Sequence, residues 1–442
     1  MTDPLSIFDA AREAPDRIAI HTSSRSLSFA ACAAAVAQAP AGDAPLARVA
    51  TPSLDTVLAV HAALAARRPL ALFHHRLTEA EIARQRALVD PTGGAAPRLA
   101  SLERMPLPAG TAAVLFTSGS TGAARGVALS RRALVAAADA SARHLGWHDD
   151  DCWLLALSLA HAGGLSIVIR CLAGRRPIAL CEGDFDPAAV AALLERCTLA
   201  SLVPTQLAAL LDDPAWRPPP RLRAVLLGGA AASPALLERA AARGVPFLTT
   251  YGMTESLGQL ATASPDRAGV PDAPLVPLPG VVFEAGTAAA PAPIAVRGPM
   301  LATGYLDGAP IAPVFTTADL GYLHDGALYI AGRSDDVIIT GGENVHPSAV
   351  EAVLAATPGV RAACVFGVRD ERWGQLVAAA VVVEPAFDPA TATATWCAAL
   401  PGHARPRRLA ICPALPQLPS GKVDRRAAAA LPTSAIEYRN RG

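Results

Sequence analysis

Ala113-Val114-Leu115-Phe116 runs directly into Thr117-Ser118-Gly119-Ser120-Thr121-Gly122-Ala123-Ala124-Arg125-Gly126. The first four residues are apolar and read as a buried strand. The rest reads as a loop whose glycines and small hydroxyls leave N–H and O–H groups free to surround phosphate oxygens. Arg125 adds a fixed positive charge. The loop departs from the GxxxxGK[ST] pattern, because no Lys-Ser/Thr pair ends it and no helix follows at once. A Gly/Ser turn by itself is usually a flexible hairpin, so its meaning depends on its company.

Outward from this stretch, short apolar runs alternate with helical patterns between about residues 110 and 305. Trp153-Leu154-Leu155-Ala156-Leu157 and Ala224-Val225-Leu226-Leu227 read as further buried strands. Between them, Ser130 is placed to cap a helix with Leu134, Ala138 and Leu145 on one face, and Gly146 is placed to stop it. This rhythm predicts α/β layers around a sheet buried on both faces. The character changes near residue 333. Val337-Ile338-Ile339 precedes Gly341-Gly342, then Pro347 opens a helix carrying Val350, Val353 and Leu354, with strands expected at 361–367 and 377–383. The expected division is a large multi-layer α/β domain over 1–334 and a small α+β domain over 335–442.

The chain has 442 residues, too many for one typical core, and 52% are hydrophobic against 17% charged. Thirty-eight basic residues balance 38 acidic ones. That balance argues against nucleic acid as a partner and makes any anion site local. Met1-Thr2-Asp3-Pro4 lacks the basic and apolar runs of a secretory leader, and no stretch nears the roughly 18 apolar residues of a membrane span. The eight cysteines are scattered, as expected of buried small hydrophobes in a reducing cytoplasm, so metal ligation by thiolates is not expected.

Five more motifs follow the loop in order. Leu227-Gly228-Gly229-Ala230 leaves a strand, and Tyr251-Gly252-Met253-Thr254-Glu255 offers a carboxylate. One carboxylate suffices for Mg²⁺ when water and substrate phosphates complete its shell. Thr316-Thr317-Ala318-Asp319 can accept two hydroxyl donors, and Gly332-Arg333-Ser334-Asp335 lies where the composition shifts. Pro419-Ser420-Gly421-Lys422-Val423-Asp424-Arg425 then presents an ammonium near the C-terminus. Each alone is an ordinary turn or a solvated side chain.

In this order they resemble the adenylate-forming superfamily of acyl- and aryl-CoA ligases, peptide-synthetase adenylation domains and beetle luciferases. The resemblance is strong over 111–426. It implies a large N-terminal domain and a small mobile lid pivoting near Asp335. It implies ATP binding by Thr117 to Gly122, Gly228, Gly229, Ala230, Tyr251, Gly252 and Met253. It assigns Thr254 to the α-phosphate, Glu255 to Mg²⁺, Asp319 to the ribose, Arg333 to the nucleotide, Arg125 to phosphate charge, and Lys422 to catalysis. The chain departs from the family at Ala124-Arg125-Gly126, usually Pro-Lys-Gly, and at Ala318, usually Gly.

Gly341, Gly342 and Trp373, with Arg405 and Arg407, are similar to the 4-chlorobenzoate–CoA ligases, which implies coenzyme A as acceptor. An indole stacking on adenine and arginines on phosphates suit that role. Ser158-Leu159-Ala160-His161-Ala162-Gly163-Gly164 holds no Asp for a substrate ammonium, which counts against amino acids. His161, Gly163, Gly164, Val203 and Thr205 then line the acid pocket by resemblance, and Arg170 is a candidate for a second carboxylate. These stretches look most like the o-succinylbenzoate–CoA ligases of menaquinone synthesis. Ligases for benzoate, anthranilate or salicylate, a carrier-protein-loading adenylating enzyme, a non-catalytic adenylate binder, and a homodimer all stay open.

Overall fold

The computed structural model describes residues 2–38, 45–89, 107–117, 125–418, 422–436 and 438. Packing divides the chain into two compact units. The first is made of 1–231, 240–283 and 296–315, and the second of 232–239, 284–295 and 316–442.

In the first unit six strands run parallel, in the order Phe247–Met253, Ala224–Leu227, Leu199–Leu202, Trp153–Leu155, Ile178–Leu180 and Ile18–His21. Gly258–Ala263 continues the sheet antiparallel beyond Phe247–Met253. Helices cross between the parallel strands, as parallel pairing requires. The strand expected at 153–157 is shorter, Trp153–Leu155, because the chain turns off the sheet at Ala156. A second sheet has the order Gly304–Tyr305, Arg125–Ser130, Thr111–Thr117, Leu70–His74 and Leu46–Ala50. The helix Arg131–Leu145 is capped by Ser130, whose hydroxyl accepts from Ala133 N at 3.2 Å, and Gly146 stops it at φ 64°.

Helix Ala162–Gly174 is different in kind. Ten of its thirteen residues are buried, so it has no solvated face. A helix enclosed on every side cannot show an amphipathic stripe, and its one arginine is carried inside with the rest.

In the second unit, residues 316–324 and Ala327–Arg333 form a hairpin that turns at Asp325-Gly326, both at positive φ, the conformation favoured in two-residue turns. Tyr322 and Tyr329 stack across it at 4.9 Å. A further sheet is built on Gly374–Val383, which pairs with Val360–Asp370 and with Arg408–Ile411. Both long strands extend beyond the expected 361–367 and 377–383. Alternation along Val360–Asp370 sends Val365 into a core with Trp396, Val350 and Leu354, and sends Cys364 and Phe366 to the opposite face against Ala410 and Ala428. All eight cysteines are free thiols. Among the described residues no helix is long and apolar enough to cross a membrane.

Candidate active site

Four chain segments leave the carboxyl ends of neighbouring parallel strands. They are 156–164, 203–206, 228–230 and the end of Phe247–Met253, with Leu202 paired to Leu227 and Leu227 to Thr249. That is where an open α/β sheet offers a crevice to ligands. Gln206 ties two of the segments together, accepting from Val203 N at 3.2 Å and donating to Ala156 O at 3.0 Å. Gly229 is at φ 80°, and a Cβ there would stand 3.3 Å from Val203 Cγ1. Gly228 lies against Thr250, where any side chain would collide. The fold therefore gathers Gly228, Gly229, Ala230, Val203, Tyr251 and Gly252 along one edge.

Gly252 is required by the hairpin that follows. A Cβ there would sit 1.7 Å from Gly258 O. Thr254–Ser256 makes one 3₁₀ turn, and Leu257 and Gly258 reverse the chain at positive φ. The Tyr251 ring is tilted against that of Phe283 with centroids 6.3 Å apart. Glu255 is half-buried, and among the described residues its carboxylate accepts one hydrogen bond, from the Tyr305 hydroxyl at 2.9 Å to Oε1. A carboxylate with lone pairs to spare fits a hard divalent cation completed by phosphate oxygens and water. Burial and the adjacent Glu255 carboxylate push the Tyr305 phenol up, so it remains a donor.

Arg125 is held rather than loose. Its Nε donates to Asp307 Oδ2 at 2.9 Å, and its guanidinium lies 3.6 Å from the centre of the Tyr305 ring. Thr117 closes the strand before the loop, its hydroxyl 3.5 Å from Arg125 O. Ser118, Gly119, Ser120, Thr121 and Gly122 lie outside the described residues.

On the acid side, Gly164 packs its Cα against the 157–158 backbone, where a Cβ would stand 2.3 Å from Ser158 O. Gly163 and His161 open the buried helix, and the His161 ring tilts onto His74 at 5.0 Å. Thr205 enters the first turn of Pro204–Asp212. Arg170 is 4% exposed, its guanidinium 5.3 Å from the Trp153 ring centre and its Nε without a hydrogen-bond partner. Burial lowers its pKa to about 10, so it stays charged at neutral pH. No carboxylate among the described residues pairs with it.

In the second unit, Asp319 and Arg333 face each other across the hairpin. Arg333 Nη1 donates to Asp319 at 2.9 Å, while Nε and Nη2 grip Asp335 at 2.9 and 2.7 Å. Three residues singled out from the sequence thus form one ion cluster. Lys422 is exposed beside a ladder in which Leu418 N donates to Lys422 O at 2.8 Å and Asp424 N to Pro416 O at 2.8 Å. Arg425 anchors that ladder through Glu351 at 2.5 Å and through Val365 O. Trp373 is 47% exposed and lies over Gly341, leaving no room there for a Cβ. Gly342 follows at positive φ with open space around it. Arg405 has a structural engagement that the sequence did not show: it donates to Leu400 O and Cys397 O at 2.9 and 2.8 Å, closing the end of a helix. Arg407 is exposed and donates to Gly402 O at 3.1 Å.

Residues 78–306 match the model of the AMP-binding enzyme family, and 349–422 match that of the AMP-binding enzyme C-terminal domain. This chain belongs to the AMP-binding enzyme family. It is 34% identical over 327 residues to 2-succinylbenzoate–CoA ligase of Listeria monocytogenes serotype 4b, covering 71% of this chain and 68% of that one. The 2-succinylbenzoate–CoA ligase of Geobacillus kaustophilus is 38% identical over 296 residues, 63% of this chain and 60% of the relative. Among solved structures, the Bacillus subtilis o-succinylbenzoate CoA synthetase with the acyl-adenylate intermediate OSB-AMP superposes with a TM-score of 0.82 at 27% identity, covering 98% and 99% of the two chains. Its complex with ATP and magnesium ion gives 0.80 at 28% identity, covering 96% and 98%.

Motif reading of this AMP-binding enzyme misses Tyr305, Asp307, His74 and Gln206. Tyr305 is 50 positions from Glu255 and Asp307 is 182 from Arg125. No local spacing announces partners that only the sheet pairing brings together.

Proposed function

We propose that this AMP-binding enzyme is an ATP-dependent acid–CoA ligase whose acid is o-succinylbenzoate, a substrate of menaquinone synthesis. The observation that carries the reading is the likeness to 2-succinylbenzoate–CoA ligases, which spans most of the chain. Arg170, an acid-pocket residue by resemblance, would be the partner of a second carboxylate. A buried guanidinium with no carboxylate partner among the described residues suits an acid with two carboxylates, one reacting and one remaining ionised. Benzoate lacks the second.

The proposed reaction runs in two halves. A carboxylate oxygen of the acid attacks the α-phosphorus of ATP, and pyrophosphate leaves with the electron pair of the broken bond. The thiol sulfur of coenzyme A then attacks the acyl carbon, AMP departs, and the thiol proton passes to solvent. Glu255 would hold Mg²⁺, which spreads the negative charge of the phosphates when bound. Thr254 and Arg125 would meet phosphate, Asp319 the ribose and Arg333 the nucleotide. Lys422 would stabilise the charge gathering between carboxylate and α-phosphate. The acyl-phosphate anhydride is already an electrophile, so no enzyme nucleophile is needed. Residues 1–334 would form the body and 335–442 a lid turning near Asp335, so that one site serves both halves. Trp373 and Arg407 remain the better placed coenzyme A contacts, because the Arg405 guanidinium is engaged with backbone. A cytoplasmic location follows from where ATP and coenzyme A are found.

The test is a panel of o-succinylbenzoate, benzoate, anthranilate, salicylate and octanoate with ATP, Mg²⁺ and coenzyme A, following AMP and acyl-CoA by mass spectrometry. The expected product is o-succinylbenzoyl-CoA, with AMP formation lost in Lys422→Ala. No AMP from any acid would overturn the ligase reading. Adenylate without thioester would replace coenzyme A by a carrier-protein thiol.

A further inference from the structure

We propose that Tyr305 is a positioning residue for the site: its hydroxyl fixes one oxygen of Glu255 and leaves the other to take the divalent cation that accompanies the nucleotide. The proposal rests on the reading that Glu255 is the metal-bearing carboxylate.

Residues 302–307 act as a strap between two parts of the site. Ala302 N donates to Glu255 O at 2.7 Å, and the Thr303 hydroxyl donates to Ala128 O at 3.0 Å. Gly304–Tyr305 pairs antiparallel with Arg125–Ser130, and Leu306 N donates to Gly126 O at 2.9 Å. Asp307 then holds Arg125. One short segment therefore grips the backbone of Glu255 and the outgoing end of the glycine-rich loop. Tyr305 is at its centre, 8% exposed, with its ring beneath the Arg125 guanidinium and its hydroxyl on Glu255.

Each contact has a separate physical effect. The ring face attracts Arg125 and holds its charge beside the loop. The hydroxyl, donating to a carboxylate that it meets in a half-buried site, restricts the rotation of that carboxylate. A group that orients a metal ligand in this way typically changes metal affinity by about 10- to 100-fold when removed. Tyr305 touches neither reacting atom, so its effect should appear in metal binding and not in acid recognition.

Calorimetric titration with α,β-methylene-ATP, with excess Mg²⁺ and again in chelator, reads this directly. The quantity is the ratio of the two Kd values, the gain in nucleotide affinity that Mg²⁺ brings. In Tyr305→Phe that ratio is expected to fall about tenfold while the metal-free Kd and the thermal transition hold. In a Glu255→Gln background the same change is expected to add nothing, because its route is gone. If the phenylalanine variant does not fold, Tyr305→Met, which also lacks a donor, takes its place in both backgrounds. An unchanged ratio overturns the proposal, and so does an equal loss with and without Mg²⁺, which would mean a packing role. A wild type whose nucleotide affinity ignores Mg²⁺ removes the Glu255 reading itself, a result visible before any variant is made.

Discussion

His61 lies in the core at 2% exposure with neither ring nitrogen hydrogen-bonded. Burial depresses its pKa from 6.5 to about 4, so it is neutral when folded and would bind a proton sooner when unfolded. Its contribution is therefore present above pH 6.5 and is lost as pH falls toward 4, on the order of 3 kcal/mol over that range. His74, lowered to about 3 by burial and by its neighbours His161 and His75, acts in the same direction. In His61→Leu the loss of thermal stability between pH 6.5 and 4 should shrink, with Tm at pH 7.5 held or raised, as a pH series of melting curves would show. Arg170 is the other residue whose cost is visible. Arg170→Gln should lower kcat/KM for a dicarboxylate by about 10²-fold and leave the KM for ATP near its wild-type value. Equal losses for benzoate and o-succinylbenzoate would deny it the second-carboxylate role.

At the scale of elements, the hairpin from Phe247 to Ala263 is the piece most tightly specified. Gly252→Ala drives a methyl group into Gly258 O, so the two strands must part or the turn must re-form. A loss of at least about 3 kcal/mol is expected, together with loss of nucleotide binding, measurable by denaturant melts and calorimetry. Gly146→Ala has open space around it and meets only the strain of positive φ, so it should cost about 1 kcal/mol. Elements with a distinct local signal were legible. The capped helix Arg131–Leu145 and the strand Ala224–Leu227 follow from a serine, a glycine and an apolar run. The enclosed helix Ala162–Gly174 had no stripe to read, and strand ends such as Leu155 depend on where the sheet stops. The motifs singled out Glu255, Asp319, Arg333 and Lys422 as candidates, because spacing within a motif is local. Tyr305 stayed hidden, since a single tyrosine gains its role only from pairing with Arg125–Ser130. The hold on Arg405 was equally invisible, being set by carbonyls at a helix end.

For the whole molecule, neutrality has consequences. With 38 basic and 38 acidic residues and a pI near 7.1, mutual repulsion is weakest near neutral pH. Solubility should pass through a minimum there and rise toward pH 8.5, as light scattering across a pH series would show. The thiols give a second global readout. Six of the eight are buried, and burial pushes Cys32 and Cys364 up to about 12. Native protein should therefore be alkylated first at Cys397 and Cys412, and unfolding should release the rest; mass spectrometry of a timed iodoacetamide reaction reads the order.

The two-pronged hold of Arg333 on Asp335 bears on turnover itself. If the chain swings about residue 335 between half-reactions, that grip must open once in each cycle. The pair is partly solvated, with 45% of the arginine side chain accessible, so dissolved ions weaken it. Catalysis would then carry an ionic-strength signature: moderate salt would speed a turnover limited by the swing, while burst formation of adenylate stayed the same.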